Sequence, residues 1–191
     1  MIQKKISGVR NGMPFQGYGD YFNEDDEKQF NKIYFLWKEL NKECVILNSR
    51  RNNLPEIISE GLVAKLFNLA RTNNIAFQGL SSTSFDCINP SNGETYQIKA
   101  VSTMSREENG GPTSFGPRSE YDHLILAHFI VDEDLVLFYQ YDDDLNKVMV
   151  NKKETFEDQC KAGKRPRFSL LKVIKQEEKL PILSYKFGVD K

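Results

Sequence analysis

The sequence predicts a single α/β domain, and three observations support this prediction. Helical periodicity runs through residues 23–48 and again after Pro55. Alternating apolar residues mark strands on either side of an Asn-Gly dipeptide at 92–93, and again in residues 123–141. A chain of 191 residues is long enough to bury one core of ordinary size, whereas two domains would each be small. We therefore treat residues 1–191 as one domain.

The charge and cysteine content exclude several classes of protein. Lys and Arg number 26 against 27 Asp and Glu, so any contact with nucleic acid must come from a local basic patch. The three cysteines are widely spaced and form neither a disulfide framework nor a CxxC metal motif. No apolar run approaches the ~18 residues of a membrane span, and the N-terminus lacks the apolar run of a signal peptide. We expect a soluble cytoplasmic protein with no membrane partner.

The N-terminal quarter of the chain predicts an arm and a helix. Residues 1–22 are rich in glycine and aromatic residues without a period, which is typical of an irregular arm. A long amphipathic helix is expected over about residues 23–48, because Phe30, Tyr34 and Trp37 recur at helical spacing. Such a stripe is more often core than interface, but the helix is also the candidate dimer face.

A second helix carries a candidate acid. Pro55 suits its first turn, and we expect it to end near Asn68 or Arg71. Glu60 has apolar neighbours on its own face, including Val63, so its carboxylate should be only half solvated. A glutamate in such a position usually extends to water and has no catalytic role. This interpretation is the alternative to a functional role for Glu60.

The stretch around Asn92-Gly93 predicts a β-hairpin with a type I′ turn. In that register Asp86 faces Lys99, and Gln97 lies on the same face of the sheet. Carboxylate and amide oxygens can bind a divalent cation, and a lysine can orient an attacking water and offset phosphate charge. The three residues predict a metal-dependent phosphodiesterase. The alternative is an α/β interaction protein in which Asp86 and Lys99 form a cross-strand ion pair worth up to ~1 kcal/mol.

Residues 102–120 form a long polar segment that contains glycine and proline. A loop of this length in a compact domain is more often functional than idle. Its hydroxyl and guanidinium groups are the donors that DNA groove readout needs. We assign the DNA contacts of this segment to Ser102, Arg106, Thr113, Ser114 and Arg118.

The C-terminal third combines strands with a basic patch. His123 and His128 face opposite sides of a predicted strand, which favours structural hydrogen bonds over a metal site. Residues 147–175 carry nine basic and three acidic residues, and a short helix is expected over 155–162 before a proline-stiffened loop. We assign phosphate contacts in that loop to Lys164, Arg165 and Arg167. Residues 170–174 and 180–189 are predicted to be closing strands.

These features in this order resemble the PD-(D/E)XK nuclease superfamily. Asp86 stands at the first acidic position, Lys99 at the motif lysine, and Gln97 where Asp or Glu is usual. Glu60 matches an acidic residue that these enzymes often place on the helix before the hairpin. Within the superfamily the chain is most similar to small type II restriction endonucleases that cleave GCNGC, on the strength of this motif and of the TSFGP and RPRF stretches at 113–117 and 165–168.

The resemblance implies a central mixed β-sheet flanked by helices, Mg²⁺-dependent hydrolysis of double-stranded DNA, and a homodimer matched to a two-fold-symmetric site. Its implied Mg²⁺ ligands are Asp86, the Gln97 side-chain oxygen and the Ile98 carbonyl. Lys99 would stabilise the phosphorane, and Glu60 would act through a water or a second metal. It also implies a bacterial host with a cognate DNA methyltransferase. Because Gln97 departs from the motif, the alternative is a non-cutting or strand-nicking subunit that forms a heterodimer.

Overall fold

The computed structural model describes residues 1–10, 12–50, 52–72, 85–117 and 120–188. The helices are α1 (Glu24–Ile46), α2 (Glu56–Leu66), α3 (Phe156–Lys161) and α4 (Leu170–Gln176). The strands are β1 (Ile2–Arg10), β2 (Met13–Tyr21), β3 (Ala70–Arg71), β4 (Cys87–Ile88), β5 (Thr95–Thr103), β6 (Thr113–Ser114), β7 (His123–Ile130), β8 (Leu135–Gln140), β9 (Arg167–Phe168) and β10 (Leu183–Lys186).

Eight strands form one mixed sheet in the order β1-β2-β3-β4-β5-β7-β8-β10. The β5–β7 pair is parallel, and the other neighbouring pairs are antiparallel. Alternate residues of β7 are buried on opposite faces: Ile125 packs with side chains of α1 and α2, whereas Leu124 packs with Leu170 and Ile174 of α4. A strand buried on both faces is a central strand between helical layers. The predicted α/β class, with a mixed sheet flanked by helices, is confirmed.

Helix α1 begins as the sequence predicts. Asn23 and Asp26 form a capping box, and Phe30, Tyr34 and Trp37 are buried in the core. The core interpretation of the aromatic stripe is therefore confirmed. Other apolar side chains near the C-terminal end of the helix remain exposed, namely Leu36, Leu40, Ile46 and Leu47.

The prediction of an irregular arm over residues 1–22 is wrong, because β1 and β2 form a regular antiparallel hairpin. The pairing is unbroken from Ile2 with Tyr21 to Arg10 with Met13. The glycines that suggest irregularity in the sequence allow close packing in the fold. A Cβ atom on Gly19 would lie 2.7 Å from the Ala70 Cβ and still closer to the end of Ile6. Gly19 is therefore a packing residue of the sheet.

The register of the hairpin between β4 and β5 differs from the prediction by two residues. Cys87 pairs with Tyr96, and the Asn89 N–H donates to the Glu94 carbonyl at 2.8 Å, so the loop is longer than a two-residue turn. The reason lies in the loop: the Asn89 side chain accepts from the Ser91 N–H at 2.9 Å, an Asx turn that ends the strand early. A shift of two residues keeps every side chain on its predicted face, whereas a shift of one would reverse them all.

In the C-terminal region helix α3 and strand β10 agree with the prediction, whereas one predicted strand is a helix. Helix α3 has a Thr155–Asp158 capping box, and Gly163, with a φ of +67°, terminates it just after its last residue, Lys161. The predicted strand over 170–174 is wrong: Ser169 accepts a hydrogen bond from the Lys172 N–H and begins helix α4. Strand β10 confirms the core of the predicted 180–189 strand.

In the described residues no helix combines the length and hydropathy needed to cross a membrane. Residues 75–78, whose sequence also suggests a strand leading into the hairpin, lie outside the described residues.

Candidate active site and DNA-contacting surface

A polar cavity of about 520 Å³ opens between α2, β5 and β6. Residues 97–102 of β5 form one side of it, and the other sides come from α2 and from the loop that carries β6. The structure brings together here all four predicted catalytic residues and three of the predicted DNA contacts, namely Glu60, Asp86, Gln97, Lys99, Ser102, Thr113 and Ser114.

The two oxygens of Asp86 have different environments. Oδ2 accepts from the Ile98 backbone N–H at 2.6 Å and from the Gln97 side-chain amide. Oδ1 makes no hydrogen bond among the described residues. The Gln97 amide also donates to the Ile98 carbonyl at 3.4 Å. One oxygen therefore fixes the carboxylate, and the other is available to a ligand. Asp86 faces Gln97 and Ile98, and not Lys99 as the predicted turn implied.

Lys99 contributes an ammonium group to the lining of the cavity. Among the described residues Nζ makes no ion pair or hydrogen bond, and it lies 5.7 Å from the centroid of the Phe115 ring. Burial lowers the pKa of Lys99, and the charges of Asp86 and Glu60 oppose that effect. The described side chains of Asp86 and Lys99 do not form a cross-strand ion pair. A purely structural role for the two residues would require such a pair.

Glu60 is held by a residue that the sequence did not point to. Arg71 on β3 donates from Nε to Glu60 Oε2 at 2.6 Å, and the two side chains are only 15% and 13% exposed. Burial, followed by the charge of Asp86, raises the pKa of Glu60 to about 7, although Arg71 acts in the opposite direction. Glu60 therefore pairs with an arginine and does not extend to water. Arg71 lies beside the site because β3 pairs with β4, a long-range contact with no local sequence signal.

The donor set fits Mg²⁺. No group of three His, Cys, Asp or Glu side chains in the described residues is arranged to hold a metal. The site instead offers Asp86 Oδ1 with the neutral oxygens of Ile98 and Gln97, and oxygen donors are those that Mg²⁺ prefers. A carboxylate at position 97 would repel Asp86 in the absence of a cation, whereas the Gln97 amide donates to it. Gln97 therefore keeps Asp86 in place without metal.

Strands β6 and β9 bring together the polar segment 102–120, predicted to read the DNA groove, and the basic loop 164–168, predicted to bind phosphates. They pair antiparallel, with Thr113 facing Phe168 and Ser114 facing Arg167, and we call this unit the β6–β9 ribbon. Thr113 and Phe168 are buried, whereas Arg167 is exposed and Ser114 half-buried. Side chains alternate along a strand, so Ser114 and Arg167 project together from the outer face of the ribbon.

The predicted cationic contacts differ in whether they are free to bind DNA. Arg165 and Arg167 are exposed and make no ion pair among the described residues. Lys164 pairs with Glu154 at 2.5 Å, and Arg106 pairs with Glu133 through bonds of 2.7 to 3.1 Å. Arg165 is also near enough to Lys99 to contribute to its lowered pKa. Arg118 lies outside the described residues.

The chain is similar to known restriction enzymes. Residues 22–177 match the family model described as Bsp6I restriction endonuclease. The type II restriction enzyme Bsp6I of Bacillus sp. (strain RFL6) is 33% identical over 159 residues, which cover 80% of this chain and 84% of that enzyme. The family match begins just before α1 and ends just after α4, so it contains every residue of the cavity described above and leaves the β1–β2 hairpin outside.

Proposed function

We infer the reaction from the premise that this chain belongs to the Bsp6I restriction endonuclease family and is a type II site-specific deoxyribonuclease. We propose that it hydrolyses double-stranded DNA with Mg²⁺ at a short GC-rich site such as GCNGC, through an active site of the PD-(D/E)XK type. The observation that carries the proposal is that Asp86 is fixed through one oxygen, while its other oxygen and the Lys99 ammonium have no partner among the described residues and lie in the same polar cavity.

Each residue of the cavity has a proposed role. Asp86, Ile98 and Gln97 would hold Mg²⁺, and the bound metal would polarise the phosphate and lower the pKa of a water. Lys99 orients the attacking water and balances the negative charge that develops on the phosphate, because no described residue competes for its ammonium. Glu60, held by Arg71, would contribute through a water or a second metal.

Gln97→Glu is expected to lower the Mg²⁺ concentration needed for half-maximal plasmid cleavage by at least about tenfold. A negative charge added ~4 Å from a cation contributes ~4 kcal/mol at an effective dielectric of about 20, before the cost of desolvation. Without Mg²⁺ the variant should also melt at a lower temperature than the wild type, since the introduced carboxylate would repel Asp86. Gln176→Glu adds the same charge at an exposed position of α4 and serves as the control. An unchanged Mg²⁺ titration would remove Gln97 from the ligand set.

The β6–β9 ribbon is the proposed DNA-reading element. A two-stranded ribbon is narrow enough to enter the major groove of B-DNA, where arginine can bind guanine O6 and N7 together. Arg167 and Ser114 project from its outer face, which suits them to base contacts. Arg165 lies close to Lys99 and is better placed to bind the phosphate next to the scissile bond.

Arg167→Ala is expected to weaken binding to the specific site by ~1–3 kcal/mol and to relax sequence preference at one position. Arg165→Ala should instead weaken binding to all sequences and reduce the salt slope by about one. The control is Lys164→Ala, because Lys164 already pairs with Glu154 and should contribute less. Competition binding with specific and scrambled duplexes measures all three. Equal losses on both duplexes for Arg167→Ala would assign Arg167 to the phosphate backbone.

We also propose a homodimer that acts in the cytoplasm of a bacterial host alongside a cognate DNA methyltransferase. The exposed apolar residues of α1 are the proposed interface, since an apolar cluster of this kind is typical of protein contacts. The alternative, a strand-nicking subunit with a different partner, rests on Gln97 and the charge that it removes from the site. Against this alternative, Gln97 still binds Asp86, and Asp86 Oδ1 makes no hydrogen bond among the described residues, which supports a site that can hold Mg²⁺.

A further inference from the structure

We propose that Phe115 is a positioning residue for Lys99: its ring supports the catalytic ammonium and links it to the β6–β9 ribbon. This inference rests on the proposed role of Lys99 in cleavage. Phe115 is a buried aromatic residue, and its immediate neighbour in the chain, Ser114, projects from the outer face of the β6–β9 ribbon.

The contact between Phe115 and Lys99 stands out because Lys99 has no other partner in the described residues. Nζ lies 5.7 Å from the ring centroid, within the range of cation–π attraction. A lysine has a flexible four-carbon stem, so an unpaired ammonium would otherwise sample several rotamers. The ring favours positions over its face without neutralising the charge, as a carboxylate partner would. Lys99 is thereby held and still free to act on a phosphate.

Phe115 is itself fixed by the ribbon and the aromatic residues behind it. Its side chain is 1% exposed and stacks on Phe168 with ring centroids 5.3 Å apart and an interplanar angle of 12°. The edge of Phe156 meets it at 5.5 Å and 78°. Its backbone N–H donates to the Pro166 carbonyl at 3.0 Å, which continues the pairing of β6 with β9. A shift of the ribbon on DNA would therefore move the ring, and the ring would move Lys99.

The test compares two variants of the same aromatic cluster. Phe115→Leu removes the ring beneath Lys99, whereas Phe156→Leu removes a ring that contacts Phe115 and Phe168 and, among the described residues, makes no cation–π contact with Lys99. Single-turnover cleavage by Phe115→Leu should be slower by about tenfold, the effect of one desolvated cation–π contact. Its affinity for the specific duplex without Mg²⁺ should match that of the wild type. Phe156→Leu should lose thermal stability and keep the wild-type cleavage rate.

An NMR measurement tests the contact without cleavage. The ring should shift the ¹³Cε and ¹Hε resonances of Lys99 upfield, and the shift should vanish in Phe115→Leu and persist in Phe156→Leu. Lys99→Met identifies the resonance.

Should Phe115→Leu fail to fold, Phe115→Met keeps an apolar side chain in the cluster without a ring. Equal rate losses in the two leucine variants, or a wild-type rate in Phe115→Leu, would overturn the inference. An inactive wild-type enzyme would instead overturn the proposed function.

Discussion

Lys99→Met abolishes double-strand cleavage, with an expected loss of about 10²–10³-fold or more in single-turnover rate. Lys99 is the cationic side chain among the described residues that line the cavity, and its ammonium has no partner among them. No other described residue of the cavity can therefore take over its role. Methionine keeps an unbranched side chain against Phe115 and removes only the charge. Burial lowers the pKa of Lys99, which means that burial disfavours its charged form. The melting temperature should therefore stay near the wild-type value while the activity disappears.

The matched control is Lys5→Met, at an exposed position of β1 that does not line the cavity. It should cleave at the wild-type rate. Gel analysis of supercoiled plasmid with Mg²⁺ separates intact, nicked and linear products for both variants. Cleavage by Lys99→Met within tenfold of the wild-type rate would show that Lys99 is not the catalytic lysine.

Asp86→Asn has the second large expected effect, a loss of cleavage of about 10³-fold or more, because metal-ion catalysis contributes several kcal/mol and each 1.36 kcal/mol is tenfold in rate. The asparagine can still accept the Ile98 N–H bond through its side-chain oxygen. Burial raises the pKa of Asp86, so the folded protein favours a neutral group at this position. We therefore expect the variant to melt at or above the wild-type temperature in the absence of Mg²⁺.

Thermal melting with Mg²⁺ distinguishes metal binding from a general loss of structure. Mg²⁺ should raise the melting temperature of the wild type and of Asp25→Asn, whose carboxylate is exposed on α1, but not of Asp86→Asn. An equal Mg²⁺ stabilisation of all three proteins would place the metal elsewhere.

The proposed catalytic residues can be predicted because their signal is local. Asp86, Gln97 and Lys99 lie close together on one hairpin, and the alternation of side chains fixes their common face. The predicted turn is wrong, since the Asx turn at Asn89 lengthens the loop. The even register shift leaves the face unchanged. Helical spacing places Glu60 beside apolar side chains, but its catalytic role comes from the family resemblance, and its partner Arg71 has no local signal.

The remaining features depend on contacts that are distant in the sequence. Arg71 reaches Glu60 through the pairing of β3 with β4, and Thr113 meets Phe168 across more than fifty residues. The N-terminal hairpin escapes prediction because its glycines serve close packing, as Gly19 does against Ala70, and resemble loop glycines in the sequence. Residues 170–174 form a helix because Ser169 caps it, a signal too short to separate from a strand.

Incubation of the purified chain with Mg²⁺ and supercoiled plasmid, followed by sequencing of the product ends, is the most direct measurement. The proposed homodimeric nuclease should yield linear DNA whose ends map to one short GC-rich sequence, and omission of Mg²⁺ or the Lys99→Met change should leave the plasmid supercoiled. Nicked circles without linear product would contradict cleavage of both strands by this chain alone. Intact plasmid at every Mg²⁺ concentration would contradict the active site assigned to Asp86, Gln97 and Lys99.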